Sequence, residues 1–102
     1  EAGRRAVVFC HTLVLPGSGH EVTLLWNYEE VLEVLRETPA VAAVFSGHFH
    51  PGGYARDPSG IHFVTLNGSI ECHTDECYGS VDVYRDRLVL RGYGTQRALP
   101  FR

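Results

Sequence analysis

"VAAVFSGHFHPGG", residues 41–53, decides how this chain is read. Val41 to Phe45 form an unbroken apolar run, which fits a strand buried on both faces, as in a parallel sheet. Gly47 lets the chain turn sharply out of that strand. His48 and His50 follow, two residues apart, and Gly52 and Gly53 close the stretch. In an extended segment, residues two apart point the same way, so both imidazoles would face one side while Phe49 turns back into the core. The glycine pair would leave room beside the backbone for a bulky, anionic group.

A second run of the same kind, "AVVFC" at residues 6–10, lies upstream. Between the two come a loop with Pro and Gly breakers, "HTLVLPGSGHE", and then "NYEEVLEVLRETP". The latter predicts a helix: Asn27 as N-cap, Glu30 at the capping-box position, Pro39 at the end. Tyr28, Val31, Leu32 and Leu35 fall on one helical face. Strand, loop, helix, strand is a βαβ unit with an expected right-handed crossover. Beyond it, residues 61–66, 78–84 and 87–93 look like strands. The "RDR" turn at 85–87 predicts an antiparallel hairpin from the last two, and the tail "GTQRALPFR" reads as a surface extension.

On this map His11 follows directly after the first buried strand, and His48 and His50 directly after the second. If those strands are parallel neighbours, their carboxyl ends share one edge of the sheet, where open α/β sheets place their ligands. Three histidines then converge by topology, and imidazole is a good ligand for manganese, zinc and iron. His11, His48 and His50 are therefore the candidate metal ligands. His20, His62 and His73 lack that placement and read as structural or solvent-exposed.

The 102 residues suffice for one small domain that buries about two-thirds of its unfolded surface. Nine basic residues against twelve acidic ones give a net charge of -3, and no basic stripe suited to nucleic acid is formed. No run approaches a membrane span, and no signal peptide opens the chain. "EAGRR" reads as an internal start. The odd cysteine count, Cys10, Cys72 and Cys77, argues for a reducing, cytoplasmic setting with ordinary thiols. A zinc site on Cys72 and Cys77 is disfavoured by their wide spacing and the lack of a second pair. Cys10 beside His11 makes a poor nucleophile pair, because adjacent residues of a strand point to opposite faces.

The histidine after one strand and the Gly-His-x-His element after the next, here "VFCHTLVLP" and "SGHFH", resemble the calcineurin-like metallophosphoesterases. "LLWNYEEVLEVL", "FSGHFHPGGYARDPSGIHFVTLNGSIE" and "YGSVDVYRDRLVLRGYG" extend the likeness over nearly the whole chain. Within the family they are most similar to manganese-dependent enzymes acting on ADP-ribose and CDP-alcohols. The family's Asp-x-His, Gly-Asp-x-x-Asp and Gly-Asn-His motifs do not occur here. The resemblance therefore implies an α/β fold, with residues 1–102 as the C-terminal half of one metallophosphoesterase αββα sandwich, a βαβ unit followed by largely antiparallel strands. It implies two divalent ions, manganese foremost with zinc or iron as alternatives. His11 and His48 would hold one ion and His50 the other, with no catalytic residue on this chain. The implied activity is hydrolysis of the phosphoanhydride bond in a nucleoside diphosphate derivative, with this chain alone inactive. The alternative is a non-catalytic scaffold or regulatory module on the same fold. Tyr54, after the glycine pair, is a candidate for stacking on a base or sugar, and Trp26 a weaker one.

Overall fold

The computed structural model describes residues 4–71 and 77–101. Strands β1 (Ala6–Cys10), β2 (Val41–Ser46), β3 (Gly53–Arg56) and β4 (His62–Thr65) form one sheet in the order β1-β2-β4-β3. β1, β2 and β4 run parallel, and β3 lies antiparallel to β4. Helix α1 (Tyr28–Arg36) connects β1 to β2. The expected βαβ unit is present.

β2 shows why the apolar run has no polar alternation. Val44 packs with Leu32, Leu35 and Phe63 on the helix side. Ala43 and Phe45 face the other way, against Val64, Leu88 and Leu90. Both faces are covered, so neither admits a polar residue.

The second cover is a three-stranded antiparallel sheet of β5 (Cys77–Val83), β6 (Leu88–Gly94) and β7 (Leu99–Phe101). The β5–β6 hairpin closes where "RDR" predicts it, with the Tyr84 N–H donating to the Arg87 carbonyl at 2.9 Å.

Several local readings need correction. The tail contributes β7 instead of a loose extension, because Leu99 pairs with Leu90 and packs against the second core. β3 lies within a stretch where the pattern predicts no strand, since four residues are too few to show a period. The helix ends at Arg36, short of Pro39, and Asn27 makes no side-chain capping bond. The Glu30 N–H donates to the Asn27 carbonyl instead, at 3.1 Å.

The end of α1 is tied to the β3–β4 turn by Asp57. This carboxylate is buried. It accepts from Arg36 Nε at 3.0 Å and Arg36 Nη2 at 2.6 Å, and from the Ser59 N–H at 3.2 Å. The Arg36 guanidinium, opposed by burial and helped by the Ser59 bonds, holds Asp57 down to a pKa of about 2.

Candidate metal centre

The ladder between β1 and β2 runs one step beyond the strands. Cys10 is opposite Ser46, and the Gly47 N–H then donates to the His11 carbonyl at 2.9 Å. His11 and the residues after Gly47 are thereby held at one point of the carboxyl edge. His48 adopts a left-handed backbone, with φ of 64°. Histidine enters that region more readily than most side chains, but the conformation still costs about 1–3 kcal/mol. The turn that follows is fastened by the Gly52 N–H donating to the Phe49 carbonyl at 2.9 Å.

The result is a pair of facing imidazoles. His48 Nδ1 lies 3.2 Å from His11 Nε2, and the ring centroids are 5.1 Å apart with planes inclined by 74°. Both side chains are exposed. Two nitrogens at this separation suit a shared ion: with metal–nitrogen bonds of about 2.1 Å, they subtend roughly 100° at the metal. They supply only part of a coordination shell. Among the described residues, no group of three or more His, Cys, Asp or Glu side chains is placed to hold a metal.

His50 does not join that pair. The segment is a turn and not an extended strand, so the two-residue repeat that would align His48 with His50 does not operate. The His50 ring instead lies against Gly68, where a Cβ atom would come within 2.5 Å of His50 Cγ. The Gly68 N–H donates to the His50 carbonyl at 2.9 Å. Phe49 does turn inward, packing near Gly19 and the His20 ring.

The glycine pair has a structural role. A side chain on Gly53 would meet the Ser18 carbonyl at 2.2 Å, so the glycine is needed for the β1–α1 loop to approach. Gly52 has φ of 76° and sits beside Asn67 and the Thr65 carbonyl.

Tyr54 points its hydroxyl at His62, with the oxygen 2.7 Å from Nδ1 and the two rings stacked at 6.0 Å. His62 is buried within β4, away from the facing pair, as a structural histidine should be. His20 accepts from the Val22 N–H at 3.1 Å and caps a short turn. Trp26 is fully exposed. Cys10 is free.

Cys77 is disulfide-bonded and so is neither the ordinary thiol expected of it nor a zinc ligand. The ground for expecting a reducing compartment goes with it. Cys72 and His73 lie outside the described residues.

Asn67 escapes the sequence reading. It stands just past β4, whose carboxyl end shares the edge with those of β1 and β2. The rule that picks out His11 and His48 applies equally to it, once β4 is known to be parallel.

A solved dimetal phosphatase from Danio rerio superposes with a TM-score of 0.91 at 36% identity, over 95% of this chain and 31% of that one. The fold is that of a dimetal phosphatase segment. Manganese-dependent ADP-ribose/CDP-alcohol diphosphatases match in sequence as well. The Xenopus laevis protein is 41% identical over 88% of this chain and 26% of its own length. The Homo sapiens protein is 38% identical over 88% and 27%, and that of Arabidopsis thaliana 33% identical over 98% and 32%. The chain thus spans about a quarter to a third of the relatives it matches. No family model matches it. The resemblance to these diphosphatases holds along most of the chain. Among the described residues, no helix is long and apolar enough to cross a membrane.

Proposed function

We propose that this chain is part of a metal-dependent diphosphatase that hydrolyses the phosphoanhydride bond of ADP-ribose or CDP-alcohols. The observation that carries this reading is the facing pair, His48 Nδ1 and His11 Nε2 at 3.2 Å, at the carboxyl edge of a phosphatase fold. The chain is a C-terminal portion of a single metallophosphoesterase domain, and the rest of that domain supplies the remaining ligands.

His11 and His48, with ring nitrogens 3.2 Å apart, would together hold one ion. His50, which lies against Gly68, would serve a second. Manganese is the ion named for the relatives. Divalent ions in such a site lower the pKa of a water, clamp phosphoryl oxygens and stabilise the leaving oxygen. Imidazole ligands would add no negative charge against an anionic substrate. The Gly68 backbone limits the direction in which His50 is offered. Hydrolysis of ADP-ribose yields AMP and ribose 5-phosphate; a CDP-alcohol yields CMP and the phosphorylated alcohol.

The test is turnover of ADP-ribose and CDP-choline by the complete parent protein with Mn²⁺, alongside the isolated chain. The parent is expected to cleave them and the isolated chain to be inactive. A parent that binds manganese but cleaves neither supports a scaffold or regulatory module instead. A fully active isolated chain would refute the division of ligands.

A further inference from the structure

A trough leads away from His50 along the same edge of the sheet. Its first cavity, about 150 Å³, is lined by His50, Pro51, Asn67, Gly68 and Thr95. The next, also about 150 Å³, shares Pro51, Asn67 and Thr95 and continues past Tyr54 to Arg97. A cavity of roughly this volume holds one six-membered ring.

The walls are fastened to one another. The Asn67 N–H donates to Gln96 Oε1 at 2.8 Å, and Asn67 Nδ2 donates to the Pro51 carbonyl at 3.1 Å. Gln96 is buried, and its Nε2 donates to the Arg97 carbonyl at 3.2 Å. Gly92 lets this turn lie tightly on β6, since a side chain there would come within 1.9 Å of the Gln96 carbonyl. Three separate segments, after β2, β4 and β6, therefore form one frame. Two polar groups are left over. Asn67 Oδ1 accepts no hydrogen bond among the described residues, and the exposed Arg97 guanidinium makes no ion pair among them.

We propose that this trough takes the sugar ring on the non-nucleoside side of the substrate. Asn67 Oδ1 accepts from a ring hydroxyl, and Arg97 pairs with the phosphate attached to that sugar. The assignment rests on the diphosphatase reading above. A sugar fits better than a base because a base calls for a flat slot, and Tyr54, the aromatic wall, already stacks on His62. The lining also mixes small apolar contacts with a free acceptor and a cation, which suits a hydroxylated, phosphorylated ring.

The experiment compares two substrates in the complete parent enzyme with Mn²⁺. ADP-ribose carries the ring in question; CDP-choline has an acyclic alcohol in its place. Arg97→Ala should lower kcat/KM for ADP-ribose about 10-fold, mainly through KM, as expected for loss of one charge-assisted bond. CDP-choline keeps the equivalent phosphate and should lose a similar factor, with Arg97→Lys recovering part of the loss on both. Asn67→Ala removes only the acceptor for a ring hydroxyl and should lower kcat/KM for ADP-ribose about 5-fold and for CDP-choline less than about 2-fold. Calorimetry supplies a second readout: ribose 5-phosphate should bind Arg97→Ala about 10-fold more weakly, and CMP equally well. Equal losses on both substrates in Asn67→Ala, or no loss on either substrate in either variant, overturn the subsite while leaving the diphosphatase reading intact. A wild-type parent that cleaves neither substrate overturns both.

Discussion

Two ends of one sheet hold histidines in opposite circumstances. At the carboxyl end, His48 is exposed, sits in a left-handed backbone and faces another imidazole across 3.2 Å. At the amino end of β4, His62 is 4% exposed, lies in a regular strand and is bonded to the Tyr54 hydroxyl. The neighbouring turn is closed by the buried Asp57–Arg36 pair. One end accepts strain and exposure and sets two ring nitrogens against each other. The other satisfies its polar groups internally. Backbone strain of this kind clusters at binding sites, whereas buried and paired polar groups support a fold.

The largest effect should come from removing the strained end. In the complete parent, His48→Ala is expected to lose bound manganese and to lower turnover about 100-fold or more, while circular dichroism shows an unchanged fold. If the folded variant keeps its metal by elemental analysis, the facing pair is not a ligand pair. Gly68→Ala sharpens the same point without touching a histidine. Its new methyl meets His50 close to the backbone, where the ring cannot swing away cheaply. Displacing the ring by about 1 Å should cost about 10- to 100-fold in turnover. An unaffected rate would detach His50 from the chemistry.

At the supporting end the readout is stability. Asp57→Asn should destabilise the parent by about 1–3 kcal/mol, the buried carboxylate raising the value and the half-exposed Arg36 reducing it. Turnover well below the melting temperature should be retained. Because the folded pKa is depressed to about 2, the pair's contribution is fully present above the ordinary carboxylate pKa and fades as pH falls toward 2. The gap in Tm between wild type and Asp57→Asn should therefore narrow on acidification from about pH 6 to about pH 3; a gap that widens contradicts the assignment. Tyr54→Phe is the smallest change, losing one hydrogen bond and about 1 kcal/mol. It should leave manganese content unchanged, and a loss of metal would show that the two ends are coupled.

Much of this architecture is legible in the residues. Unbroken apolar runs at 6–10 and 41–45 mark strands covered on both sides, and the parallel pairing they require brings His11 and His48 to one edge. "RDR" marks its hairpin because a short polar turn between two apolar strands has few alternatives. The readings that fail are those that assume a local conformation. Extending the strand through His50 aligns three imidazoles, but the turn at Gly47 and His48 breaks the two-residue repeat. The glycine pair also lets the Ser18 carbonyl pack on Gly53, a contact between segments far apart in the chain that no local pattern shows.

From sequence alone came the βαβ unit, the edge where the histidines gather and the likeness to a phosphoesterase, because burial patterning and short motifs are written in consecutive residues. Tertiary structure alone decided the rest. It set β4 parallel to β2 and so brought Asn67 to the site edge, drew the tail in as β7, and turned Tyr54 toward His62. It also separated His50 from the His11–His48 pair. Each of these depends on which distant segment supplies a partner for a backbone or polar group, and no local pattern records that choice.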